Sequence, residues 1–123
     1  MGKPFLVSVV DDDESVRESL PDLLRQFGYA ARAFSSSEAF LASGIVTETS
    51  CLILDVAMPG MSGPDLHEEL KRRRQEIPIV FVTAHSDETE RERLLAQGAV
   101  ECLFKPFSES DLIEALDSAL GTN

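Results

Sequence analysis

Residues 5–14 read Phe5-Leu6-Val7-Ser8-Val9-Val10-Asp11-Asp12-Asp13-Glu14, a nearly unbroken apolar run that stops on four acids. Continuous apolarity, bounded by charge, is the pattern of a strand covered on both faces in a parallel sheet. The form recurs along the chain. Cys51-Leu52-Ile53-Leu54 ends on Asp55, Ile79-Val80-Phe81-Val82 ends on Thr83-Ala84, and Val100-Glu101-Cys102-Leu103-Phe104 ends on Lys105-Pro106. A fifth and weaker run, Ala30-Ala31-Arg32-Ala33-Phe34, suits an edge strand.

Helical patterns fill the intervals. Val16, Leu20, Leu23, Leu24 and Phe27 share one helical face, and Gly28 supplies a stop. Ser15 with Glu18 has the spacing of a capping box at the start of that helix, while Pro21 removes an amide donor within it. Further helices are expected over 37–43 with Phe40 inward, 63–74 with Leu66 and Leu70 inward, and 87–97 before Gly98. The last, 109–120, is expected to bury Leu112, Ile113, Leu116 and Leu120. Strand and helix thus alternate five times, which implies one α/β domain: a doubly wound (βα)5 parallel sheet with helices on both faces. In such sheets chemistry gathers at the carboxyl ends of the strands.

Composition narrows the class. The chain has 123 residues, 43% of them apolar, enough for one core and little more. Eleven basic residues against twenty-two acidic ones give a net charge of −11, which repels phosphate backbones and anionic membrane surfaces. Direct nucleic-acid or membrane binding is not expected. No apolar run approaches a membrane span, and Met1-Gly2-Lys3-Pro4 leads into too short a run for a signal peptide. Cys51 and Cys102 make neither a disulfide framework nor a zinc site, and are expected as buried, reduced thiols of a cytoplasmic protein. Gly121-Thr122-Asn123 reads as a frayed end or the stump before another domain.

The strand ends carry the chemistry. Asp11, Asp12 and Asp55 place about three negative charges together, against one ammonium from Lys105. Like-charge repulsion would raise a carboxylate pKa unless a hard cation such as Mg²⁺ relieved it, held by carboxylates and by a loop carbonyl such as that of Ala57. Asp55 then has the makings of a nucleophile toward a phosphoryl group, with Lys105 and the hydroxyl of Thr83 facing the transferred oxygens. Asp13 and Glu14 sit where acids complement a helix dipole.

Four segments carry a family resemblance: Val9-Val10-Asp11-Asp12-Asp13, Leu54-Asp55-Val56-Ala57-Met58-Pro59-Gly60-Met61-Ser62-Gly63, Val82-Thr83-Ala84-His85 and Phe104-Lys105-Pro106-Phe107. In order and spacing the chain resembles a response-regulator receiver domain of two-component signalling, of the FixJ-like kind. The resemblance implies a flavodoxin-like sheet of strand order 2-1-3-4-5. It implies Asp55 as phosphoacceptor, and Mg²⁺ held by Asp11, Asp12, Asp55 and the Ala57 carbonyl. Thr83 and Lys105 would bind the phosphoryl group, and the Lys105–Pro106 bond would be cis. A sensor histidine kinase would be the donor, and a homodimer through the fourth helix and fifth strand would follow phosphorylation. The first helix, with Arg17, Leu20 and Leu24, would meet the kinase. A C-terminal DNA-binding output domain, beyond residues 1–123, is expected. One position departs from the family: three residues before Lys105, where Tyr or Phe is usual, stands Cys102, too small to report the pocket's state as a ring does.

Rival readings fare worse. A flavin carrier on this fold needs a hydroxyl- and glycine-rich phosphate cradle after the first strand, where Asp11-Asp12-Asp13 would repel a phosphate. An aspartyl phosphohydrolase would usually carry an acid two residues after its nucleophile, where Ala57 stands. A receiver without phosphorylation is opposed by the intact set of Asp12, Asp55, Thr83 and Lys105. His85 is expected as a solvated loop residue, His67 as a surface or boundary residue, and Lys71-Arg72-Arg73-Arg74 as dipole-complementing cations at a helix end. Arg91 and Arg93 alternate with acids in a way that permits salt bridges between two copies.

Overall fold

The five apolar runs form β1 (Leu6–Val10), β2 (Ala30–Phe34), β3 (Cys51–Asp55), β4 (Ile79–Thr83) and β5 (Glu101–Phe104), all paired in parallel in the order β2-β1-β3-β4-β5. This is a computed structural model, and it describes residues 4–121; the opening Met1-Gly2-Lys3 and the tail residues Thr122 and Asn123 lie outside the described residues. The weak Ala-rich run is an edge strand, as its composition implied.

Between and after the strands run α1 (Glu14–Gln26), α2 (Ser37–Leu41), α3 (Gly63–Arg72), α4 (Glu88–Ala96) and α5 (Glu109–Leu120). From β1 the chain first moves one way to β2, then returns across β1 to β3, β4 and β5. With right-handed crossovers this reversal sends α1 to one face and α2, α3 and α4 to the other. Alternate strand residues therefore feed two cores. Val10, Leu52, Leu54 and Phe81 pack with Phe40, Leu66, Leu70 and Leu94, while Val7, Val9, Ile53, Val80 and Val82 pack with Leu20, Leu24, Leu112 and Leu116.

Several local expectations need correction. The N-cap of α1 is Asp13, whose carboxylate accepts the Ser15 amide and hydroxyl at 2.9 and 2.8 Å, so the Ser15–Glu18 capping box does not form. A carboxylate two residues before Ser15 already serves the orphan amide. The capping box of this fold is Ser62 with Asp65, at the start of α3. Within α5, Leu112, Ala115 and Leu116 are buried, whereas Ile113 is 38% exposed and Leu120 half-buried. Residue 113 lies about 100° around the helix from 112, off the stripe set by steps of three and four.

His67 is the clearest reversal: it is buried, with its ring edge-on to Phe81 at 5.9 Å. Gly63, Leu66, His67 and Leu70 share the inner stripe of α3, so the histidine occupies a core position. Leu20 and Leu24 are likewise core residues and cannot present themselves to a kinase. The half-buried Val16 and Leu23 instead line a groove with Phe107. Among the described residues no helix is long and apolar enough to cross a membrane.

Candidate functional site

β1 and β3 are adjacent at the point where strand order reverses, so their carboxyl ends open beside each other. Parallel neighbours lie about 4.8 Å apart. Asp11 and Asp12 leave β1, and Asp55 is the last residue of β3. One carboxylate oxygen from each of these three lies within 4.8 Å of the others. Asp11 is fully buried and Asp55 is 6% exposed, while Asp12 stands in solvent.

Each buried carboxylate has a definite setting. Asp11 Oδ1 accepts the Asp13 amide at 2.9 Å, and its Oδ2 accepts Lys105 Nζ at 2.8 Å. The same ammonium lies 3.9 Å from Asp55 Oδ1. Lys105 follows β5 and precedes a cis bond to Pro106, and its amide donates to the Thr83 carbonyl at 2.7 Å. Arg17, one turn into α1, donates to the Asp11 carbonyl at 3.1 Å. Composition ties Arg17 to nothing in the site; only the helix's path over the end of β1 does.

The loop after β3 is anchored at its root. Val56 donates to the Val82 carbonyl and accepts from the Gly63 amide, both at 3.0 Å, and Met58 is buried. Ala57 is held between these two, exposed. Gly63 is required for this closure: a Cβ there would come within 2.3 Å of the Asp55 carbonyl oxygen. Thr83 ends β4 and is buried; its Oγ1 accepts the His85 amide at 3.1 Å, while the imidazole of His85 is solvent-exposed. The structure thus gathers Asp11, Asp12, Asp55 and Lys105 tightly and sets Thr83 at the next strand end, engaged with its own loop.

The electrostatics are those of an under-neutralised acidic hollow. Burial, and then the charge of Asp11, push the Asp55 carboxyl up to about 7 despite Lys105. Burial works against the Lys105 charge, but its hydrogen bond to Asp11 and the charges of Asp11, Asp55 and Asp13 raise its pKa overall. Asp13, fully exposed, is held below the usual carboxylate range by its Ser15 hydrogen bonds, in keeping with a capping role. Three carboxylates this close, with one partly shared ammonium, suit a hard divalent cation with oxygen ligands. The residues fit Mg²⁺.

Other candidates fall elsewhere. His67, Lys71 and Arg74 line a cleft of about 770 Å³ that contains none of the strand-end carboxylates. Lys71 pairs with Glu68 and donates to the Gln97 carbonyl, and Arg72 and Arg73 share Glu69, so two carboxylates offset about half the charge of the basic run within its own helix. On the α4–β5 face, Arg91 pairs with Glu101 at 2.6 Å and donates to the Cys102 carbonyl at 3.2 Å, and Arg93 pairs with Glu90. Both arginines are therefore engaged inside the chain. Cys51 and Cys102 are free and buried, on strands separated by β4; burial pushes their thiols up to about 12 and about 11.

Comparison with known proteins agrees with this geometry. A family model described as the response regulator receiver domain matches residues 7–117. Nodulation protein W of Bradyrhizobium diazoefficiens is 44% identical over 114 residues, covering 93% of this chain and 50% of that protein. Transcriptional regulatory protein FixJ of Azorhizobium caulinodans is 38% identical over 121 residues, 98% of this chain and 57% of that one. Among solved structures, the response regulator StyR superposes with a TM-score of 0.88 at 45% identity, over 99% of this chain and 61% of StyR. The crystal structure of FixJ-N gives 0.85 at 34% identity, covering 99% and 98%. The chain spans about half the length of the curated relatives it matches.

Proposed function

The chain belongs to the response regulator receiver family, and from that membership we propose that Asp55 accepts a phosphoryl group from the phosphohistidine of a sensor kinase in a Mg²⁺-dependent step. The observation that carries this reading is the convergence of Asp55 with Asp11, Asp12 and Lys105 at the sheet's switch point. An Asp55 carboxylate oxygen attacks phosphorus, the phosphorus–nitrogen bond to the kinase imidazole breaks, and an acyl phosphate remains on Asp55. Asp11, Asp12, Asp55 and the Ala57 carbonyl would hold the metal. When bound, Mg²⁺ supplies positive charge that lets the carboxylates ionise together and offsets charge on the phosphoryl oxygens.

The remaining groups bind and orient. Lys105, already 3.9 Å from Asp55, pairs with the new phosphoryl group. Thr83 Oγ1 accepts from His85, which leaves its hydroxyl hydrogen to donate to a phosphoryl oxygen. Phosphorylation takes the side chain from one negative charge to about two and adds acceptor oxygens. Drawing Thr83 and Lys105 toward it biases the loops after β4 and β5 between two arrangements. Water returns the acyl phosphate to carboxylate and phosphate, so the domain is a switch that resets itself rather than a turnover enzyme.

At the level of the whole protein, the reading places the receiver in the cytoplasm with its kinase. The groove of Val16, Leu23 and Phe107 is a contact surface for the phosphodonor helix, and α4 with β5 pairs two phosphorylated copies. The named relatives include a transcriptional regulatory protein of which the matched segment is 57%, which supports a C-terminal DNA-binding output domain following α5. Acetyl phosphate with Mg²⁺ should give acid-labile incorporation of phosphate in the wild type and none in Asp55→Asn or in excess chelator. Undiminished labelling of Asp55→Asn would reject Asp55 as acceptor, and equal rates with chelator would reject the metal.

A further inference from the structure

We infer that Glu38, far from the acidic hollow in sequence, is a positioning residue that holds the loop between β3 and α3 in its metal-binding shape. The inference rests on reading Asp11, Asp12, Asp55 and Ala57 as a Mg²⁺ site. That loop is pinned at its root by the two Val56 hydrogen bonds and at its exit by the Ser62–Asp65 capping box. Between them lies Ala57-Met58-Pro59-Gly60-Met61, whose outer turn is tied from outside: Glu38 Oε2 accepts the Met61 amide at 3.0 Å, across 23 residues of sequence.

The tie is built on both sides. Gly60 has a φ of +75°, a conformation that side chains rarely adopt, and a Cβ there would sit 2.8 Å from Glu38 Oε2. The carboxylate thus occupies the space that a glycine alone leaves open. On the other side, Glu38 stands in the first turn of α2, whose Ser36 cap accepts the Ala39 amide at 3.0 Å. Phe40 anchors that turn in the core, fully buried and edge-on to Phe34 at 5.5 Å. A core-anchored helix therefore reaches over to clamp a loop with no other tether on its outer turn among the hydrogen bonds described. Glu38 is not itself part of the acidic cluster, which comprises Asp11, Asp12 and Asp55.

Without the clamp the loop samples other shapes, and apparent metal affinity falls in proportion to the fraction of molecules that hold the Ala57 carbonyl in place. The test is a Mg²⁺ titration followed by amide NMR on the wild type, Glu38→Ala, Glu38→Gln and Asp12→Asn, with thermal melts alongside. Glu38→Ala should weaken binding roughly five- to tenfold with a melting temperature within a few degrees of wild type. Glu38→Gln, whose amide oxygen still accepts from Met61, should stay within about twofold of wild type. Wild-type affinity in Glu38→Ala would overturn the tether. Equal weakening in both Glu38 variants would also overturn it, because charge rather than the hydrogen bond would then be at work. A wild type that binds no better than Asp12→Asn would overturn the metal site itself and the inference with it.

Discussion

Replacing Asp55 by Asn in metal-free protein should make the domain more stable at alkaline pH, although it alters a buried residue. Asp55 is 6% exposed, and burial together with the Asp11 charge lifts its carboxyl from 3.8 to about 7. Between those values the folded state binds a proton that the unfolded state has released. The stabilisation from this proton is fully present below 3.8 and is lost as pH rises through about 7. One pKa unit is worth about 1.4 kcal/mol, so a rise of about three units amounts to at most ~4 kcal/mol of penalty for the ionised form at pH 8.5. Reorientation of Lys105 and water entry reduce this to about 2 kcal/mol. Asn has nearly the same shape, carries no charge, and offers an amide to the oxygens of Asp11 and Asp12. For a domain of this size, about 2 kcal/mol corresponds to roughly 8 °C in melting temperature. The assay is thermal unfolding by circular dichroism in chelator at pH 8.5 and pH 3.5. Asp55→Asn should melt well above wild type at the first and level with it at the second. Saturating Mg²⁺ should narrow the gap at pH 8.5 by stabilising the wild type more. A variant no more stable than wild type at pH 8.5 without metal would refute the electrostatic reasoning.

Two further outcomes are expected. His67 is buried and its Nδ1 has no hydrogen-bond partner; burial first, and then Lys71, lower its pKa from 6.5. Its neutral form therefore contributes stability above 6.5 that is lost as pH falls through the folded-state value, so His67→Phe should flatten the decline in melting temperature between pH 7.5 and 5.5 relative to wild type. An unchanged slope would show that the ring titrates as though in water. Burial also keeps both thiols protonated, at about 12 for Cys51 and about 11 for Cys102. A thiol-specific colorimetric reagent at pH 8 should label neither in the folded protein and both after denaturation; rapid labelling of the native domain would show that β5 opens far more readily than its packing implies.

The correspondence between sequence and structure was closest where local pattern meets a simple physical demand. A strand buried on both faces needs uninterrupted apolar residues, so all five strands were legible, including the weaker edge strand at 30–34. The acids, hydroxyl and ammonium after those strands were legible as a set because the βα alternation alone brings all carboxyl ends to one edge. Helix facing was less secure. His67 and Ile113 were misjudged because amphipathic stripes are read from residue type, whereas burial follows the phase in which a helix lands on its sheet; Leu20 and Leu24 lie on the inner face that their spacing gave them, and only the family resemblance set them against a kinase. The spacing of residue 67 from Gly63 and Leu70 is that of the inner stripe of α3, but its polar ring led it to be read as a surface or boundary residue.

What the amino-acid order determined unaided was the layered α/β architecture and the identity of the groups at the strand ends; the order β2-β1-β3-β4-β5, which puts the switch point between β1 and β3, was implied by the family resemblance and is set by the sheet. Tertiary structure alone decided which of those groups touch. The Lys105–Asp11 contact joins residues 94 apart, the Glu38–Met61 contact joins residues 23 apart, and Arg17 reaches the Asp11 carbonyl only because α1 crosses the end of β1. Hydrogen bonds of this kind depend on ångström-scale distances between separate elements. Hydrophobic periodicity encodes which elements form and which side they bury, and it leaves those distances to packing.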